Sequence, residues 1–208
     1  MRIIGGEYRR RPLQGPPSGT TTRPIPDIVR EAVFNLLRGH FENEVVYDGF
    51  AGVGSFSLEA ISRGAKRAVA VERDSKVAKV LEANAEELGI EEQLEIVRAD
   101  ALGMGSLARC PRGVHIIFFD PPYAMVRDAE AWKRVKSQFE RLIERLDDTG
   151  YAILRTPWPA VQEDDEGKRE LDLAMAGALG PETHDYGSTA IHLYMRDAEA
   201  TPSETASP

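Results

Sequence analysis

Apolar positions recur along this chain in two alternating patterns, one with helical spacing and one typical of buried strands. The helical segments have apolar residues three and four positions apart, and the strand segments are short continuous apolar runs. Helices are predicted over residues 27–38, 55–63, 75–88 and 128–146, and strands over residues 45–48, 67–72, 94–98, 114–119, 151–154 and 190–194. Because helices alternate with strands over short connections, we predict a doubly wound α/β fold, with a mainly parallel sheet covered on both faces.

Polar residues and glycine mark several of the predicted ends. Asp27 stands where the first helix needs an N-cap, and Gly89 where the third helix stops. Glycine and proline are dense over residues 15–26, which predicts a loop or clamp. Residues 163–166, Glu-Asp-Asp-Glu, are interpreted as a solvated loop, and residues 196–208 as a disordered tail without apolar periodicity.

Composition narrows the class of protein. The chain has 208 residues, 42% of them hydrophobic and 29% charged, which suits one folded domain and excludes a disordered chain. Cys110 is the only cysteine, so no internal disulfide forms, and no run approaches the roughly 18 apolar residues of a membrane span. The first residues lack the features of an export signal, so a cytoplasmic location is expected. Four scattered histidines and one cysteine make a metal site unexpected.

Charge is unevenly distributed. The net charge of −8 argues by itself against a polyanionic partner. Residues 1–24, however, hold five arginines against one glutamate, a charge of +4, so the remaining 184 residues carry −12. Arginine suits phosphate oxygens, and the candidate contacts to nucleic acid are Arg2, Arg9, Arg10, Arg11 and Arg23. A solvated leader without a binding role is the alternative that charge alone leaves open.

A glycine-rich loop follows the first predicted strand. Residues 48–54, Asp-Gly-Phe-Ala-Gly-Val-Gly, lie between a strand and a helix, where a doubly wound sheet binds ligands. Asp48 is placed to hold an ammonium group, directly or through water. Glu72 ends the second strand and can accept hydrogen bonds from two ribose hydroxyls, and Asp100 follows the third and can accept from an adenine amine.

This loop has a plainer interpretation, a tight turn beside polar strand ends. The dinucleotide fingerprint is incomplete, because Ser57 stands where glycine or alanine packs helix against strand. A nicotinamide-dependent dehydrogenase is therefore disfavoured.

Asp120-Pro121-Pro122-Tyr123 follows the apolar run at 114–119, again at the carboxyl edge of the predicted sheet. Two prolines fix the backbone and remove two N–H donors, which leaves carbonyl acceptors. The Asp120 carboxylate and the Pro121 carbonyl can accept the two hydrogens of a nucleobase amine and point its lone pair at an electrophile. Tyr123 can stack on the base. The alternative is a stiff loop without chemistry, and the ordered strand-end carboxylates count against it.

These motifs resemble class I S-adenosylmethionine-dependent methyltransferases: residues 48–54 are similar to the cofactor loop, and residues 120–123 to the signature of members that methylate amines. More closely, the chain resembles the RsmD family, bacterial enzymes that methylate N2 of a guanine in 16S ribosomal RNA and are named for guanine 966. The likeness covers about residues 1–195 and rests on residues 2–6, Arg23-Pro24, Asp27, residues 29–35, 58–65 and 71–74, Asn84 and residues 186–189.

The resemblance implies a Rossmann-like seven-stranded sheet, S-adenosylmethionine as cofactor, and 16S ribosomal RNA or an assembling small ribosomal subunit as partner. The catalytic residues it implies are Asp120, Pro121, Pro122 and Tyr123. The cofactor-binding residues it implies are Asp48, Phe50, Ala51, Gly52, Gly54, Glu72, Arg73, Asp100 and Ala101. The RNA-binding residues it implies are Arg2, Arg9, Arg10, Arg11, Arg23 and Arg30.

Several residues depart from the family pattern. Ile25-Pro26 stand where threonine usually follows Arg-Pro, and Ile28 replaces a basic residue, which affects local contacts to cofactor or RNA. Val53 stands where serine is common, Ser57 where glycine is, and Arg155 where a glutamate often ends the fifth strand. None of them falls within the Asp-Pro-Pro-Tyr sequence.

We therefore expect a basic arm over residues 1–26, a methyltransferase domain over 27–195 and a tail over 196–208. Two other functions stay open. The turn recognises a planar amine without identifying its ring, so the acceptor can be adenine N6, cytosine N4 or a protein glutamine. The fold can also serve a noncatalytic RNA-binding assembly factor. Neither a membrane nor a metal is expected as a partner, and a monomer is expected.

Overall fold

The computed structural model describes residues 1–19, 25–164 and 167–199. In chain order, the elements are α1 (Asp27–Leu36), β1 (Val45–Asp48), α2 (Ser57–Ser62), β2 (Arg67–Val71), α3 (Ser75–Leu88), β3 (Leu94–Val97), α4 (Met104–Arg109), β4 (Val114–Phe119), α5 (Tyr123–Arg127), α6 (Ala129–Ile143), β5 (Leu146–Pro157), β6 (Val161–Asp164), β7 (Gly167–Glu170), β8 (Ala178–Asp185) and β9 (Thr189–Arg196).

Seven of the strands form one mixed sheet in the order β3-β2-β1-β4-β5-β9-β8. The first five pair in parallel, and β9 joins β5 and β8 in antiparallel fashion. The strands β6 and β7 form a separate antiparallel hairpin. The strand order reverses at β1, so β1 and β4 lie side by side where an open α/β sheet forms a ligand crevice.

Helices cover both faces of the sheet, because alternate residues of a buried strand point to opposite faces. Phe118 of β4 stacks on Phe56, with ring centroids 4.5 Å apart, on the face that packs α1, α2 and α3. Phe119 stacks on Phe139 of α6 at 5.3 Å on the other face. Burying each such ring contributes about 2 kcal/mol, so β4, whose six residues are all buried, anchors both layers.

Within the predicted arm of residues 1–26, the first 14 residues are docked on the domain, and the name arm is used below for these 14 residues. Ile3 and Leu13 are buried in its core, and a β-bridge joins Arg2 to Pro12. The backbone N–H groups of Ile4 and Gly5 donate to the buried carboxylate of Glu59 in α2, at 2.7 and 2.8 Å. The alternative of a solvated leader is therefore wrong for this segment.

Arg30 differs from its predicted role. Its side chain has no exposed surface, and Nη2 donates to the Arg2 carbonyl and, at 3.0 Å, to Asp27 Oδ1. Burial lowers the pKa of Arg30, while the nearby carboxylates of Glu59 and Asp27 act in the opposite direction. A fully buried guanidinium does not reach an RNA phosphate, so the prediction of a direct RNA contact is corrected: Arg30 fastens the arm to α1.

The predicted helices and strands are confirmed, with shifts at their ends. Strands 45–48 and 114–119 and helix 75–88 match, and Gly89 ends α3 with a left-handed φ of 71°. The helix predicted over 55–63 is shorter, and the helix over 128–146 ends at Ile143, so Leu146 already belongs to β5. Asp27 is not the cap of α1, because Pro26 takes that position and Asp27 lies in the first turn.

Other segments were missed or lie outside the described residues. Helices α4 and α5 and strands β6, β7 and β8 were not predicted, because they are short or lack a run of apolar residues. Residues 163–164 belong to β6, so the solvated-loop prediction is wrong there. Arg23, residues 165–166 and residues 200–208 of the predicted tail are outside the described residues. Among the helices that the structure describes, none has the length and apolar character to cross a bilayer.

Candidate active site

Three carboxylates meet at the carboxyl edge of the sheet. Asp48 ends β1, Glu72 follows β2 and Asp120 follows β4, and these three strands are adjacent and parallel. The loop after β1 stays close to β4, since Gly49 N–H donates to the Phe118 carbonyl at 2.8 Å. Strand-end residues that are distant in sequence therefore lie together at one edge of the sheet, as the sequence predicted.

The glycine loop crosses from β1 to Glu72. Gly52 N–H donates to Glu72 Oε2 at 3.1 Å, and the backbone of Gly52 is left-handed with φ of 56°. A Cβ at Gly52 meets nothing within 4 Å, so the loop borders open space there. A Cβ at Gly54 falls 2.3 Å from Leu81 Cδ1, which requires glycine where α2 starts against α3. The loop thus leaves room for a ligand beside its backbone.

Asp48 carries an unsatisfied buried oxygen. Its side chain is fully buried; Oδ2 accepts from Ser57 N–H at 3.2 Å, and Oδ1 has no hydrogen-bond partner among the residues that the structure describes. Burial, with the negative charges of Asp120 and Glu72 in addition, raises the pKa of Asp48 to about 7. An ammonium group at Oδ1 would satisfy this oxygen and lower the pKa, so the site fits the amino group of an amino-acid ligand.

Glu72 and Asp100 present further acceptors. Glu72 Oε1 accepts from Asp74 N–H at 2.7 Å, so each carboxylate oxygen of Glu72 holds one backbone N–H and keeps lone pairs for hydroxyls. Asp100 is exposed, and its Oδ1 accepts from Leu102 N–H at 3.0 Å. These placements suit the predicted contacts to a ribose and an adenine.

Three other predicted cofactor residues border the same edge. Phe50 lies half-buried against Phe119, with ring centroids 4.9 Å apart, and Arg73 is exposed. Ala101 is buried, and its carbonyl accepts from Ser106 Oγ and Gln138 Nε2, so only its N–H is left for a ligand.

Asp120 faces the crevice with one oxygen engaged. Its side chain is 15% exposed, and Oδ1 accepts from Arg155 Nε at 2.7 Å. Within the described residues, no hydrogen bond reaches Oδ2 of Asp120 or the carbonyl oxygen of Pro121. Burial raises the pKa of Asp120, and the Arg155 guanidinium opposes that rise. Two acceptors are therefore available to an amine.

Tyr123 begins α5 directly after the proline pair. Its hydroxyl donates to Thr189 Oγ1 at 2.7 Å, and Thr189 in turn donates to the Thr156 carbonyl at 3.0 Å. Arg155 Nη1 donates to the same tyrosine hydroxyl at 3.1 Å, and its guanidinium carbon lies 5.1 Å from the ring centre. The hydroxyl and one face of the Tyr123 ring are therefore occupied, and the opposite face remains for stacking on a base.

The arginines of the arm separate into two groups. Arg2, Arg9 and Arg10 line a cavity of about 580 Å³ together with Asp27 and Glu31. Arg11 points elsewhere and donates to the Glu87 carbonyl at 3.0 Å. The three arginines of the cavity outnumber its two carboxylates, so the cavity keeps a small excess of positive charge next to a body that is acidic.

Comparison with known proteins decides the family. A family model described as Conserved hypothetical protein 95 matches residues 1–148, more than half of the chain. The chain belongs to the RsmD family. Ribosomal RNA small subunit methyltransferase D of Escherichia coli K12 is 31% identical over 199 residues, which cover 96% of this chain and 91% of that protein.

Two further relatives agree with the RsmD assignment. YlbH of Bacillus subtilis, named as an rRNA methyltransferase, is 29% identical over 197 residues, or 94% of this chain and 99% of that protein. The solved structure of the Escherichia coli methyltransferase yhhF superposes with a TM-score of 0.74 at 29% identity, covering 95% of this chain and 98% of that chain. The predicted doubly wound methyltransferase fold is thereby confirmed.

Asn84, noted above only for its likeness to the RsmD family, joins two parts of the site. It is fully buried, and Nδ2 donates to the Val53 carbonyl in the glycine loop at 3.1 Å and to the Gln14 carbonyl in the arm at 3.2 Å. Its Oδ1 accepts from Gln14 N–H at 2.8 Å. The arm and the glycine loop therefore share one anchor, and an asparagine among the apolar positions of the predicted helix is the sequence signal that could have found it.

A group of metal-ligand type lies at the opposite, amino edge of the sheet. Ligand atoms of Glu44, His115 and Asp147 lie within 4.8 Å of one another. His115 is hydrogen-bonded to Asp147 at 2.8 Å and to His40 at 3.0 Å. Two of the histidines that appear scattered in sequence are thus neighbours, and their hydrogen bonds tie the loop before β1 to β4 and β5.

Proposed function

We propose that this chain transfers a methyl group from S-adenosylmethionine to the N2 amine of a guanine in 16S ribosomal RNA. The observation that carries the proposal is the free acceptor pair of Asp120 Oδ2 and the Pro121 carbonyl, at the same sheet edge as Asp48 and Glu72. Relatives across nearly the whole length are named as ribosomal RNA methyltransferases, which supports RNA as the substrate class.

The residues of the crevice fit S-adenosylmethionine, which supplies an electrophilic methyl group on a sulfonium when bound. Asp48 would hold its ammonium group, Glu72 its ribose hydroxyls and Asp100 its adenine amine. The other residues proposed to contact it are Phe50, Ala51, Gly52, Gly54, Arg73 and Ala101.

The Asp-Pro-Pro-Tyr turn would prepare the amine for attack. A base amine is a poor nucleophile because its lone pair is delocalised into the ring. Hydrogen bonds from its two hydrogens to Asp120 Oδ2 and the Pro121 carbonyl favour the pyramidal nitrogen in which the lone pair is free. Tyr123 would stack on the base with its open face, and Pro122 keeps the turn rigid. The positive charge that develops on nitrogen is stabilised by Asp120, and the proton leaves to water.

The arm would hold RNA. Arg2, Arg9 and Arg10 line one cavity and would hold phosphate oxygens there, and Arg11 would offer a separate contact beside the C-terminal turn of α3. Arg23 is also proposed to contact RNA. The acidic remainder of the chain would repel RNA elsewhere, which restricts docking to the arm and crevice. A monomer acting in the cytoplasm on free 16S RNA or an assembling small subunit fits this arrangement.

The test is methylation of unmethylated small-subunit RNA with isotope-labelled cofactor. We expect label in N2-methylguanine after nucleoside digestion and chromatography. Label in N6-methyladenine, in N4-methylcytosine or in protein would support the alternative acceptors. Tight RNA binding with no turnover on RNA, on subunits or on protein would support a noncatalytic assembly factor and exclude the enzyme.

Cofactor affinity is expected to rise with pH. With a pKa of about 7, Asp48 is mostly protonated at pH 6, and the ammonium of a bound ligand favours its ionised form, so binding releases a proton. We expect S-adenosylhomocysteine, which keeps the ammonium, to bind about tenfold more tightly at pH 8 than at pH 6. Isothermal titration calorimetry in two buffers of different ionisation enthalpy measures both affinity and proton release. Asp48→Asn should bind more weakly and without this pH dependence; a flat wild-type profile would contradict the role of Asp48.

A further inference from the structure

Arg155 and Asp120 are brought together by strand register. β4 and β5 pair in parallel with Phe119 opposite Leu154, so the next residues, Asp120 and Arg155, also face each other at the carboxyl edge. Both side chains are largely buried, 15% and 12% exposed, and their contact is a charge-assisted hydrogen bond of 2.7 Å. The pair thus forms part of the wall of the crevice.

Arg155 is held in a single orientation. Nε donates to Asp120 Oδ1, and Nη1 donates to the Tyr123 hydroxyl, which itself donates to buried Thr189. The guanidinium also lies over the Tyr123 ring. Because these contacts come from two strands and a helix, they fix the rotamers of Arg155, Asp120 and Tyr123 together.

The positive charge of Arg155 offsets the negative charge of Asp120. Asp120 shares the sheet edge with Asp48 and Glu72, and those three carboxylates disfavour one another in a poorly solvated crevice. Among the described residues, the cation in contact with Asp120 is Arg155. Burial raises the pKa of Asp120, and the charge and hydrogen bond of Arg155 counteract it.

From these contacts we propose that Arg155 is a positioning residue for methyl transfer: it balances the charge of Asp120 and occupies Oδ1, so that Oδ2 is the oxygen that accepts from the amine. A protonated Asp120 would present an O–H donor to an N–H donor, and a rotated Asp120 would direct neither oxygen at the substrate. The inference rests on the proposed function of Asp120, but the link between Arg155 and Asp120 can be measured without turnover.

The first measurement is the titration of the Asp120 carboxyl in the protein without cofactor or RNA, by carbon-detected nuclear magnetic resonance with Asp120→Asn to assign the signal. Arg155→Met removes the charge and keeps the side-chain length, Arg155→Lys keeps the charge, and Arg112→Gln removes an exposed arginine elsewhere. We expect the midpoint of Asp120 to rise by at least about one pH unit in Arg155→Met, and to stay near wild type in the other two. An unchanged midpoint in Arg155→Met would overturn the proposal, whether or not the protein methylates guanine.

The second measurement is the pH profile of turnover on RNA. At pH 7 we expect Arg155→Met to lower kcat about 100-fold with KM changed less than about threefold, and part of this loss to be recovered at pH 9 as Asp120 ionises. Arg155→Lys should return the wild-type profile with kcat within about tenfold of wild type. If Arg155→Met does not fold, Arg155→Gln replaces it. Wild-type kcat and profile in the uncharged variant, or a faster variant, would show that Arg155 only fills space and would overturn the proposal.

Discussion

Asp120→Asn is expected to lower methyl transfer at least about 10³-fold and to leave cofactor affinity within about threefold of wild type. The amide keeps the shape of the carboxylate, and its oxygen can still accept from Arg155 Nε. The amide nitrogen then replaces Oδ2 and presents N–H donors to the N–H donors of the amine. The variant therefore loses the acceptor, and it leaves the Arg155 guanidinium without its counter-charge.

Single-turnover methylation of 16S RNA measures the loss of methyl transfer, and calorimetric binding of S-adenosylhomocysteine measures the cofactor affinity. Asp148→Asn is the matched control, since Asp148 lies near the amino end of β5, is 81% exposed and, in the part of the chain that the structure describes, forms a salt bridge with Arg196. Turnover of Asp120→Asn within tenfold of wild type would show that the turn does not act on the amine.

Gly6→Ala is expected to release the arm and to weaken RNA binding by about 10- to 100-fold. Gly6 has a left-handed φ of 75°, and a Cβ there would lie 1.7 Å from the carbonyl oxygen of Ser62 in α2. The clash is with backbone, so the arm must move away from α2. This movement breaks the bonds of Ile4 and Gly5 to Glu59 and separates Arg2 from Arg9 and Arg10. The variant should also lose about 3 kcal/mol of stability.

Gly15→Ala in the same chain segment is the matched control, because a Cβ at Gly15 meets nothing within 4 Å. Thermal unfolding reports the loss of stability, and filter binding of RNA at two salt concentrations reports the lost phosphate contacts as a shallower salt dependence. If Gly6→Ala binds RNA as tightly as Gly15→Ala, the docked arm is not the RNA-binding surface.

The elements that were predicted and those that were missed differ in whether a local pattern of residues specifies them. β4 matches its prediction because residues 114–119, apolar except for His115, are all buried and have no stable place except between two helix layers. α3 matches because Asp74 caps it and Gly89 ends it through local backbone geometry. β8 was missed because half of its eight residues are polar and most are exposed, and it forms only by pairing with β9.

The residues of the candidate site also divide into those that a local pattern identifies and those whose role depends on tertiary contacts. Asp48, Glu72 and Asp120 were found from sequence since each directly follows an apolar strand, and parallel strands bring their carboxyl ends to one edge. Arg30 was misassigned because an arginine near other arginines gives no sign of whether it is buried. Its burial depends on Arg2 and Asp27, which pack around it from the arm and from α1.

The layered α/β fold, the loop of residues 48–54 and the Asp-Pro-Pro-Tyr turn could be predicted from the sequence, because they follow from apolar periodicity, from the freedom of glycine torsions and from the restriction of proline torsions. The contact of Arg155 with Asp120, the link of Asn84 between the arm and the glycine loop, and the docking of the arm against α2 arise only in the folded chain. Such contacts join residues 31 to 70 positions apart, and they depend on strand register and helix packing, which no local pattern of residues encodes.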